Sequence, residues 1–310
     1  MTVGSQLHAS IPIIIVTYNN EEDIDGCLNS LLKTKSDLME IIVIDNSSTD
    51  STREKISKYK ESVSKVILLD RNYGYAGAVI KALNSIEDKH YKYFVLLNPD
   101  TIVTENWLSE LISVMEEDPR IGAAQSLLLS MDGSIDSAGG FVNLLGYPIE
   151  LFKGERLTFE KRLARYVEIG YAKGAASIFR LEAYVRAGGF DERFFFYYDE
   201  TDLCYRIRRL GYKVVLVPRS IVYHKGLGSK VPFKELFVLY YMERNRLLFL
   251  YKNMPYCLLP GFLWSLVGAL KSSKPYRRIR LKALLDFVRL AIGYQLKEPL
   301  YLEPKSLAKE

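Results

Sequence analysis

The first two hundred residues alternate short apolar runs with amphipathic stretches, and this pattern predicts βα units. Between the runs, apolar residues recur with helical spacing, as at Ile24, Leu28 and Leu31. The predicted strands cover residues 11–16, 41–44, 66–69, 93–97, 122–126 and 214–217. Because these runs lack polar alternation, they suit strands covered on both faces. We therefore predict an α/β fold, with a Rossmann-like, mainly parallel sheet flanked by helices.

Local signals add three expectations. Asp132-Gly133 predicts a hairpin turn inside the otherwise irregular stretch 127–170. Ser51, followed three residues later by Glu54, predicts a capping box for a helix. Pro218 is expected to end the strand at 214–217, because proline cannot donate to a sheet ladder.

Polar residues follow the apolar run at 93–97, where Pro99 forces a turn. Ligands of open α/β sheets bind at the carboxyl ends of strands, so Asn98 and Asp100 lie where a site is expected. A carboxylate such as Asp100 can hold a hard divalent cation together with phosphate and water. The alternative is that Asn98 and Asp100 only form a turn before a helix starting near Glu105.

Two earlier strands also end in polar groups. Thr17, Tyr18 and Asn19 follow the first strand, and Asp45 ends the second. Parallel strands present these ends on one side of a sheet, so the groups can converge. Asp45 can accept a hydrogen bond from a pyrimidine N3–H or from ribose hydroxyls, or it can simply shape the turn that follows.

A glycine loop, Asn72-Tyr-Gly-Tyr-Ala-Gly77, leads into a predicted helix. Bare amides at a helix N-terminus favour phosphate, so Asn72, Gly74 and Gly77 are candidate residues for binding the phosphates of a ligand. Glycines in such a loop also serve ordinary tight turns.

An acidic cluster follows an aromatic run at residues 194–198. Asp199, Glu200 and Asp202 fall in the first turn of a predicted helix, where acids are favoured by the helix dipole alone. A carboxylate beside an aromatic wall could also deprotonate an acceptor hydroxyl. His224, after the last predicted strand, could be a neutral imidazole ligand of a metal or a structural residue.

From Ile11 to His224 the chain resembles the inverting family 2 glycosyltransferases of the GT-A fold, particularly the rhamnosyltransferase-like branch. The resemblance rests on motifs in the family's order: Val16-Thr-Tyr-Asn19, Ile44-Asp-Asn-Ser-Ser-Thr-Asp50, Asn72-Tyr-Gly-Tyr-Ala-Gly77, Asn98-Pro-Asp100, the segment from Gly189 to Arg206, and Val222-Tyr-His224. It implies that Asp45 reads the base, that Asp100 and His224 contact Mg²⁺ or Mn²⁺, and that Glu200 is the catalytic base.

The chain departs from the family pattern at two of these positions. Asn98 replaces the first acid of the Asp-x-Asp motif, which removes one charge from the metal site. Glu200 stands where the family more often has aspartate, so Asp199 and Asp202 stay open as alternative bases.

The resemblance implies transfer of a sugar, rhamnose among the candidates, from a UDP- or dTDP-linked donor. The acceptor would be a hydroxyl of a saccharide or lipid-linked saccharide in polysaccharide or glycoconjugate synthesis. Nucleic acid is not a predicted partner. The alternatives are a sugar nucleotidyltransferase, whose N-terminal basic glycine loop is absent here, and an inactive sugar-nucleotide-binding subunit of a membrane assembly.

The last part of the chain differs in charge and in apolar content. We predict a catalytic domain over residues 1–230 and a helical, basic, amphipathic extension over 231–310, which carries 14 Lys/Arg and 6 Asp/Glu. The apolar segment 256–270 is shorter than the roughly 20 residues that span a bilayer, and basic residues from Lys271 to Lys282 follow it. This order favours an anionic membrane surface, and a helix packed on the domain or on a dimer partner is the alternative.

Composition narrows the cellular setting. Hydrophobic residues make up 48% and charged residues 25% of the chain, which is typical of a globular protein. Cys27, Cys204 and Cys257 form no pair with metal-site or disulfide-framework spacing, so a reducing compartment is favoured. Residues 1–10 are too polar for a signal peptide. We predict a cytoplasmic protein, peripheral at the inner face of the cell membrane if the extension binds lipid.

Overall fold

A computed structural model describes residues 10–86, 91–156, 164–226 and 234–293. Its strands are β1 (Ile11–Thr17), β2 (Met39–Asp45), β3 (Lys65–Leu68), β4 (Tyr93–Leu97), β5 (Thr101–Val103), β6 (Ile121–Leu129), β7 (Ile135–Ser137), β8 (Gly140–Val142), β9 (Pro148–Glu150), β10 (Val167–Glu168), β11 (Ala176–Arg180) and β12 (Lys213–His224). Its helices are α1 (Ile24–Lys33), α2 (Thr52–Ser57), α3 (Gly74–Asn84), α4 (Trp107–Glu117), α5 (Leu181–Arg186), α6 (Asp199–Arg209), α7 (Lys234–Asn253), α8 (Leu258–Lys271) and α9 (Lys274–Ala291).

The main sheet has the order β10-β12-β6-β11-β4-β1-β2-β3, with β5 paired to β12 and β7 to β6. Strands β4, β1, β2 and β3 are parallel neighbours, and β12 is parallel to β6. Strand β11 is antiparallel to both β4 and β6. The sheet is therefore mixed and mainly parallel, with its parallel part running from β4 through β1 and β2 to β3, as the sequence predicted.

Both faces of the sheet are covered, because alternate residues of each strand enter different cores. Ile13 and Ile15 of β1 pack in the core that contains α1 and α4. Ile14 of β1 packs in the core that contains α3, α6 and α7. This two-sided burial explains why the strands read as unbroken apolar runs.

Three local expectations can be compared with the structure. The Asp132-Gly133 turn is confirmed, since Ser130 and Ser134 close it and β6 pairs antiparallel with β7. The capping box is wrong: the Ser51 side chain makes no cap bond and its Oγ instead donates to Glu21 at 2.7 Å. The end of the last strand at Pro218 is also wrong.

Strand β12 continues through Pro218 to His224. Its register with β6 shifts between Val217 and Ile221, so the proline falls in an irregular stretch where a ladder donor is not required. The continuation matters for the site, because it carries His224 to the end of β12 beside β5.

The extension packs on the sheet as helices α7, α8 and α9. Leu247–Leu250 of α7 and Leu284, Phe287 and Leu290 of α9 belong to the same core as one face of β1 and β4. The predicted domain boundary at residues 230 and 231 lies outside the described residues, as does 294–310. None of the helices that the structure describes is both long and apolar enough to cross a membrane.

Candidate active site

The carboxyl ends of β1 and β2 lie side by side, with Thr17 and Asp45 as register partners. Thr17 is fully buried, and its hydroxyl donates to Asn20 at 3.2 Å. The Tyr18 amide donates to the same Asn20 oxygen at 2.9 Å. The strand ends therefore converge as predicted, and Thr17 and Tyr18 shape the first loop.

Asp45 is fully buried and keeps one carboxylate oxygen for a further partner. Its Oδ2 accepts from the Ser48 amide at 3.1 Å and from Arg53 Nε at 2.6 Å. Its Oδ1 is buried and has no hydrogen-bond partner among the residues that the structure describes. A buried acceptor without a partner is costly, so a ligand N–H or hydroxyl would stabilise this position.

The loops after β1 and β2 are locked together by side-chain bonds. The Asn19 backbone has a φ of 54°, and its side-chain oxygen accepts from the Thr49 amide at 2.8 Å. Asn46, which the sequence did not single out, donates to Asn72 at 2.9 Å and to the Gly74 carbonyl at 3.0 Å. Asn46 thus joins the loop after β2 to the glycine loop.

The glycine loop does not offer all the bare amides that we expected. The Gly74 amide donates to Asn72 Oδ1 at 2.8 Å, and the Tyr75 amide donates to the Phe195 carbonyl at 2.7 Å. Gly74 has a φ of +74°, and a Cβ there would collide with the Phe195 carbonyl. Gly77, one turn later in α3, is buried. The loop therefore packs tightly on the aromatic run, and its contact with a donor stays a prediction.

Asp100 and His224 meet because β5 pairs antiparallel with β12, which places Thr101 opposite His224. Asp100 Oδ1 lies 3.3 Å from His224 Nε2, and both side chains are buried. Asn98 is part of the same turn, and its carbonyl accepts from the Thr101 hydroxyl at 2.7 Å. The structure thus joins two residues that the sequence proposed separately as metal contacts.

Asp136 fixes the other side of the His224 ring. Its Oδ2 lies 2.8 Å from His224 Nδ1 and 3.2 Å from Lys173 Nζ. Burial lowers the pKa of His224, but the hydrogen bonds to Asp100 and Asp136 outweigh it and raise the pKa to about 9. The ring is therefore protonated at neutral pH in the metal-free protein, and metal binding would displace the proton on Nε2.

The donor set fits a divalent cation that keeps most of its coordination sphere for phosphate and water. Within the described ranges, no group of three or more His, Cys, Asp or Glu side chains could enclose a metal. One carboxylate and one imidazole, with the imidazole oriented by a second carboxylate, match an open site for Mg²⁺ or Mn²⁺. Asp100 and His224 are the residues that would hold it.

Asp202 is committed to internal ion pairs. It is fully buried, and its Oδ2 accepts from Arg206 Nε at 2.8 Å and from Lys252 at 2.9 Å. Its Oδ1 accepts from Asn253 at 2.8 Å. With three cationic or amide partners, this carboxylate anchors α6 to the end of α7 and has little capacity left to accept a proton.

Glu200 and Asp199 differ from Asp202 in that neither is enclosed by cationic partners. Glu200 is partly exposed, and its Oε1 accepts from the Gly174 amide at 3.0 Å. A Cβ at position 174 would lie 2.7 Å from that oxygen, so glycine is needed for the contact. Asp199 is fully buried with an unpartnered Oδ2, and burial, followed by the charge of Glu200, raises its pKa well above the ordinary value.

Tyr75 is influenced by both the acidic cluster at residues 199–202 and the Asp100–His224 pair. Its hydroxyl donates to the Gly174 carbonyl at 3.3 Å. Burial, and then the negative charges of Glu200, Asp199 and Asp100, raise the pKa of Tyr75 well above its ordinary value. The two sets of residues also contact neighbouring positions of one segment, because Lys173 pairs with Asp136 beside His224 and the Gly174 amide donates to Glu200.

The run before the acidic cluster has an unusual backbone. Phe195, Tyr197 and Tyr198 have φ values of 59°, 65° and 68°. Left-handed backbone at non-glycine residues costs about 1–3 kcal/mol each and persists only where the surroundings enforce it. We call residues 193–200 the aromatic loop.

Helix α7 enforces this backbone. Asn245 is fully buried, and its Nδ2 donates to the carbonyls of Phe194, Phe196 and Tyr197 at 2.7, 2.7 and 2.9 Å. Arg244 donates to the carbonyls of Arg193 and Phe194 at 2.6 and 2.9 Å. The extension thus holds the loop from which Asp199 and Glu200 project.

The sequence reasoning missed several of these residues. A usable signal existed for Arg244 and Asn245, because Glu243-Arg-Asn-Arg246 is a polar run inside an otherwise apolar helix. Asp136, Lys173 and Tyr75 gave no comparable signal, since each lies in a segment whose pattern is ordinary and gains its role only through contacts distant in sequence.

Comparison with known proteins places these observations in a family. The family model described as Glycosyl transferase family 2 matches residues 13–185. The chain is 26% identical over 242 residues to N-acetylglucosaminyl-diphospho-decaprenol L-rhamnosyltransferase of Mycobacterium tuberculosis, covering 71% of this chain and 77% of the relative.

Two solved structures share the fold. GalNAc-T7 with UDP, GalNAc and Mn²⁺ has a TM-score of 0.62 at 18% identity, over 94% of this chain and 59% of that one. The mannosyltransferase PcManGT of Pyrobaculum calidifontis with GDP-Man and Mn²⁺ has a TM-score of 0.54 at 15% identity, over 94% and 89%. The mixed sheet flanked by helices is therefore the GT-A fold.

Proposed function

We propose, from the premise that this chain belongs to glycosyl transferase family 2, that it moves a sugar from a nucleoside diphosphate donor to an acceptor hydroxyl with inversion at the anomeric carbon. The observation that carries the proposal is the contact of the neighbours Lys173 and Gly174 with both sets of residues. Lys173 pairs with Asp136, which holds His224 beside Asp100, and the Gly174 amide donates to Glu200. This supports a candidate base and a candidate metal site acting on one substrate.

Asp45 is the proposed donor-base contact. Its unpartnered, buried Oδ1 can accept from the N3–H of uracil or thymine, while Arg53 and the Ser48 amide hold the carboxylate in position. This supports a UDP- or dTDP-linked sugar as donor.

Glu200 is the proposed catalytic base. In the transfer step the acceptor oxygen bonds to the anomeric carbon as its proton passes to Glu200. The bond from that carbon to the diphosphate oxygen breaks, and its electron pair leaves with the nucleoside diphosphate. Asp202 is less suited to this role, because Arg206, Lys252 and Asn253 already occupy its oxygens.

Asp100 and His224 would hold Mg²⁺ or Mn²⁺, with Asp136 keeping the imidazole oriented. Such an ion, when bound, neutralises negative charge on the diphosphate. The M. tuberculosis relative is named for a decaprenol-linked acceptor and for rhamnose transfer. On that likeness we propose a saccharide or lipid-linked saccharide acceptor, with rhamnose among the candidate sugars.

A donor screen by thermal unfolding tests donor and metal together. At 100 times its dissociation constant, a donor adds about 2.7 kcal/mol of stability. We expect a uridine or thymidine diphosphate sugar to stabilise the protein in Mn²⁺ and much less in chelator. Asp100→Ala should remove the metal-dependent part, whereas Asn98→Asp should keep it, because it adds a carboxylate. Equal stabilisation with and without chelator in wild type and Asp100→Ala would contradict the metal proposal.

The anomeric configuration of the product, read by NMR, tests inversion. Retention would exclude the single-displacement reaction written above. Incubating the bound donor without acceptor tests the alternative of an inactive subunit: slow release of nucleoside diphosphate supports an enzyme. A donor that binds tightly and is neither hydrolysed nor transferred to any acceptor would favour the inactive subunit.

A further inference from the structure

Helix α8 buries small or polar side chains and exposes large apolar ones. On α8 the buried residues are Gly261, Ser265 and Ala269. Its exposed large apolar residues include Leu259 at 67% exposure and Leu270 at 60%, with Leu263, Trp264 and Val267 between them. Their spacing of three and four residues places them along one side of the helix.

Helix α9 is apolar on both faces: its inner face buries large side chains in the core, and its outer face also carries apolar residues. Leu281, Leu285 and Val288 are exposed along its length, and Ile292, just past its end, is 76% exposed. Isolated apolar residues on a surface are ordinary, but two adjoining helices with apolar outer faces indicate an interaction site.

Polar contacts with α7 fix which face of α8 is buried. Arg246 of α7 donates to the Gly261 carbonyl at 3.1 Å and also contacts the Ser265 hydroxyl. Ser265 in turn donates to Glu243 at 2.5 Å. Rotating α8 to hide its leucines would break this buried network, so the apolar face is held outward.

The exposed charge next to this face is positive. Residues 254–293 contain seven Lys/Arg and one acid, Asp286. Asp286 is fully buried and bound to Tyr240 at 2.8 Å and Arg289 at 2.9 Å. The exposed cations Lys271, Lys274, Arg277 and Arg278 surround the junction of α8 and α9.

One of the cations that the sequence assigned to this cluster belongs elsewhere. Arg280 bonds to Glu243 at 2.5 Å and is only 25% exposed at its side chain. It is part of the buried network that fixes α7, so removing it would perturb folding and would not isolate a surface charge.

We propose that this surface, made of the outward apolar residues of α8 and α9 with Lys271, Lys274, Arg277 and Arg278, docks on an anionic lipid bilayer. The leucines and Trp264 enter the boundary between headgroups and acyl chains, and the four cations contact lipid phosphates. A second copy of the chain fits less well, because the same surface on a partner would bring two cation clusters together.

Docking would bring the enzyme to the membrane that holds a lipid-linked acceptor, but it does not depend on the proposed reaction. It is tested with the full chain and sedimented vesicles of phosphatidylcholine alone or with 30% phosphatidylglycerol. Binding should require the anionic lipid and weaken as salt rises, because the Debye length falls from about 10 Å at 0.1 M to about 3 Å at 1 M.

The cation cluster is tested by a matched pair of variants. Changing Lys271, Lys274, Arg277 and Arg278 to Gln should weaken vesicle binding on the order of 100-fold or more, since each contributes on the order of tenfold or less. The control changes the same number of exposed lysines outside the surface, Lys33, Lys58, Lys60 and Lys153, and should bind as wild type does. Equal losses in the two variants would show non-specific attraction and overturn the proposal.

Trp264 supplies a direct readout of insertion. The chain has two tryptophans, and the other, Trp107, is fully buried, so a vesicle-induced change reports Trp264, which is 55% exposed. We expect a blue shift and quenching by brominated lipid, both lost in Trp264→Phe while sedimentation persists. A Trp264 contribution, taken as the difference between wild type and Trp264→Phe, that is already blue without vesicles would mean that the chain or a second copy covers the face, and would overturn the proposal. Nucleoside diphosphate binding in all variants should stay unchanged, which separates this test from that of the reaction.

Discussion

The two sides of the candidate site are built in different ways. The strand-end side contains Asp45, Asn98 and Asp100. These residues lie at the ends of neighbouring strands, and the register of the strands fixes the positions of those ends. The loop side contains Asp199 and Glu200. These residues belong to the aromatic loop, whose left-handed residues are held by α7. The strand-end side is therefore positioned by local sheet geometry, whereas the loop side depends on a helix more than forty residues away.

This difference predicts how each side responds to mutation. Changes on the strand-end side should alter donor or metal affinity and leave the fold alone, because the sheet holds its own ends. Changes that release the aromatic loop should affect stability and turnover together, because hydrogen bonds from α7 hold its left-handed backbone in place. The following predictions, from largest to smallest effect, test that distinction.

Glu200→Gln should lower the transfer rate by roughly 10²–10⁴-fold, the usual contribution of a general base. The glutamine keeps an oxygen that can accept from the Gly174 amide, so donor affinity and stability should barely change. Steady-state kinetics and donor titration measure the two quantities. Glu192→Gln, an exposed residue just before the loop, is the control. A larger rate loss in Asp202→Asn with a mild effect in Glu200→Gln would contradict the assignment of the base.

Asn245→Ala should cost on the order of 3 kcal/mol of stability, because three loop carbonyls lose a buried donor and each such loss costs about 1–3 kcal/mol. We also expect kcat to fall with little change in the donor dissociation constant. Denaturant unfolding and kinetics check both effects. Asn29→Ala, at an exposed position of α1, is the control. If kcat per folded molecule is unchanged, the loop does not need α7 for its active shape.

Asp136→Asn should weaken Mn²⁺ affinity by about 10–100-fold, the usual effect of removing a carboxylate that orients a ligating histidine. Calorimetric titration of Mn²⁺ in the presence of nucleoside diphosphate measures it. Asp132→Asn, an exposed residue of the adjacent turn, is the matched control. If Mn²⁺ affinity is unchanged in Asp136→Asn, then His224 does not bind the metal in a way that depends on orientation by Asp136.

Asp199→Asn should raise stability at neutral pH, since burial raises the pKa of this carboxyl and makes its ionisation costly. Between its unfolded pKa near 3.8 and the raised folded value, the native state holds a proton that the unfolded chain has lost. Stability therefore falls as pH rises through that window, and the variant should lack this slope. Unfolding curves of both proteins from pH 4 to 8 test it, and parallel curves would refute the raised pKa.

The contrast between the two sides also explains which features could be predicted. The strand ends at Asp45 and Asp100 were visible because an apolar run that stops at a polar residue is a local pattern. The role of Asp202 was not visible, since its partners Lys252 and Asn253 lie fifty residues away. Pro218 misled the prediction of β12, because a proline is compatible with a strand wherever a register shift removes the need for its donor.

The sequence by itself determined the alternation of the main strands and helices, the polar residues at the strand ends and the basic character of the extension, because each depends on neighbouring residues and their periodicity. Only the tertiary structure decided that His224 meets Asp100 and Asp136, that α7 holds the aromatic loop, and that α8 faces its leucines outward. Those features depend on contacts between distant segments, whose hydrogen bonds fix one arrangement out of several that the same local pattern would allow.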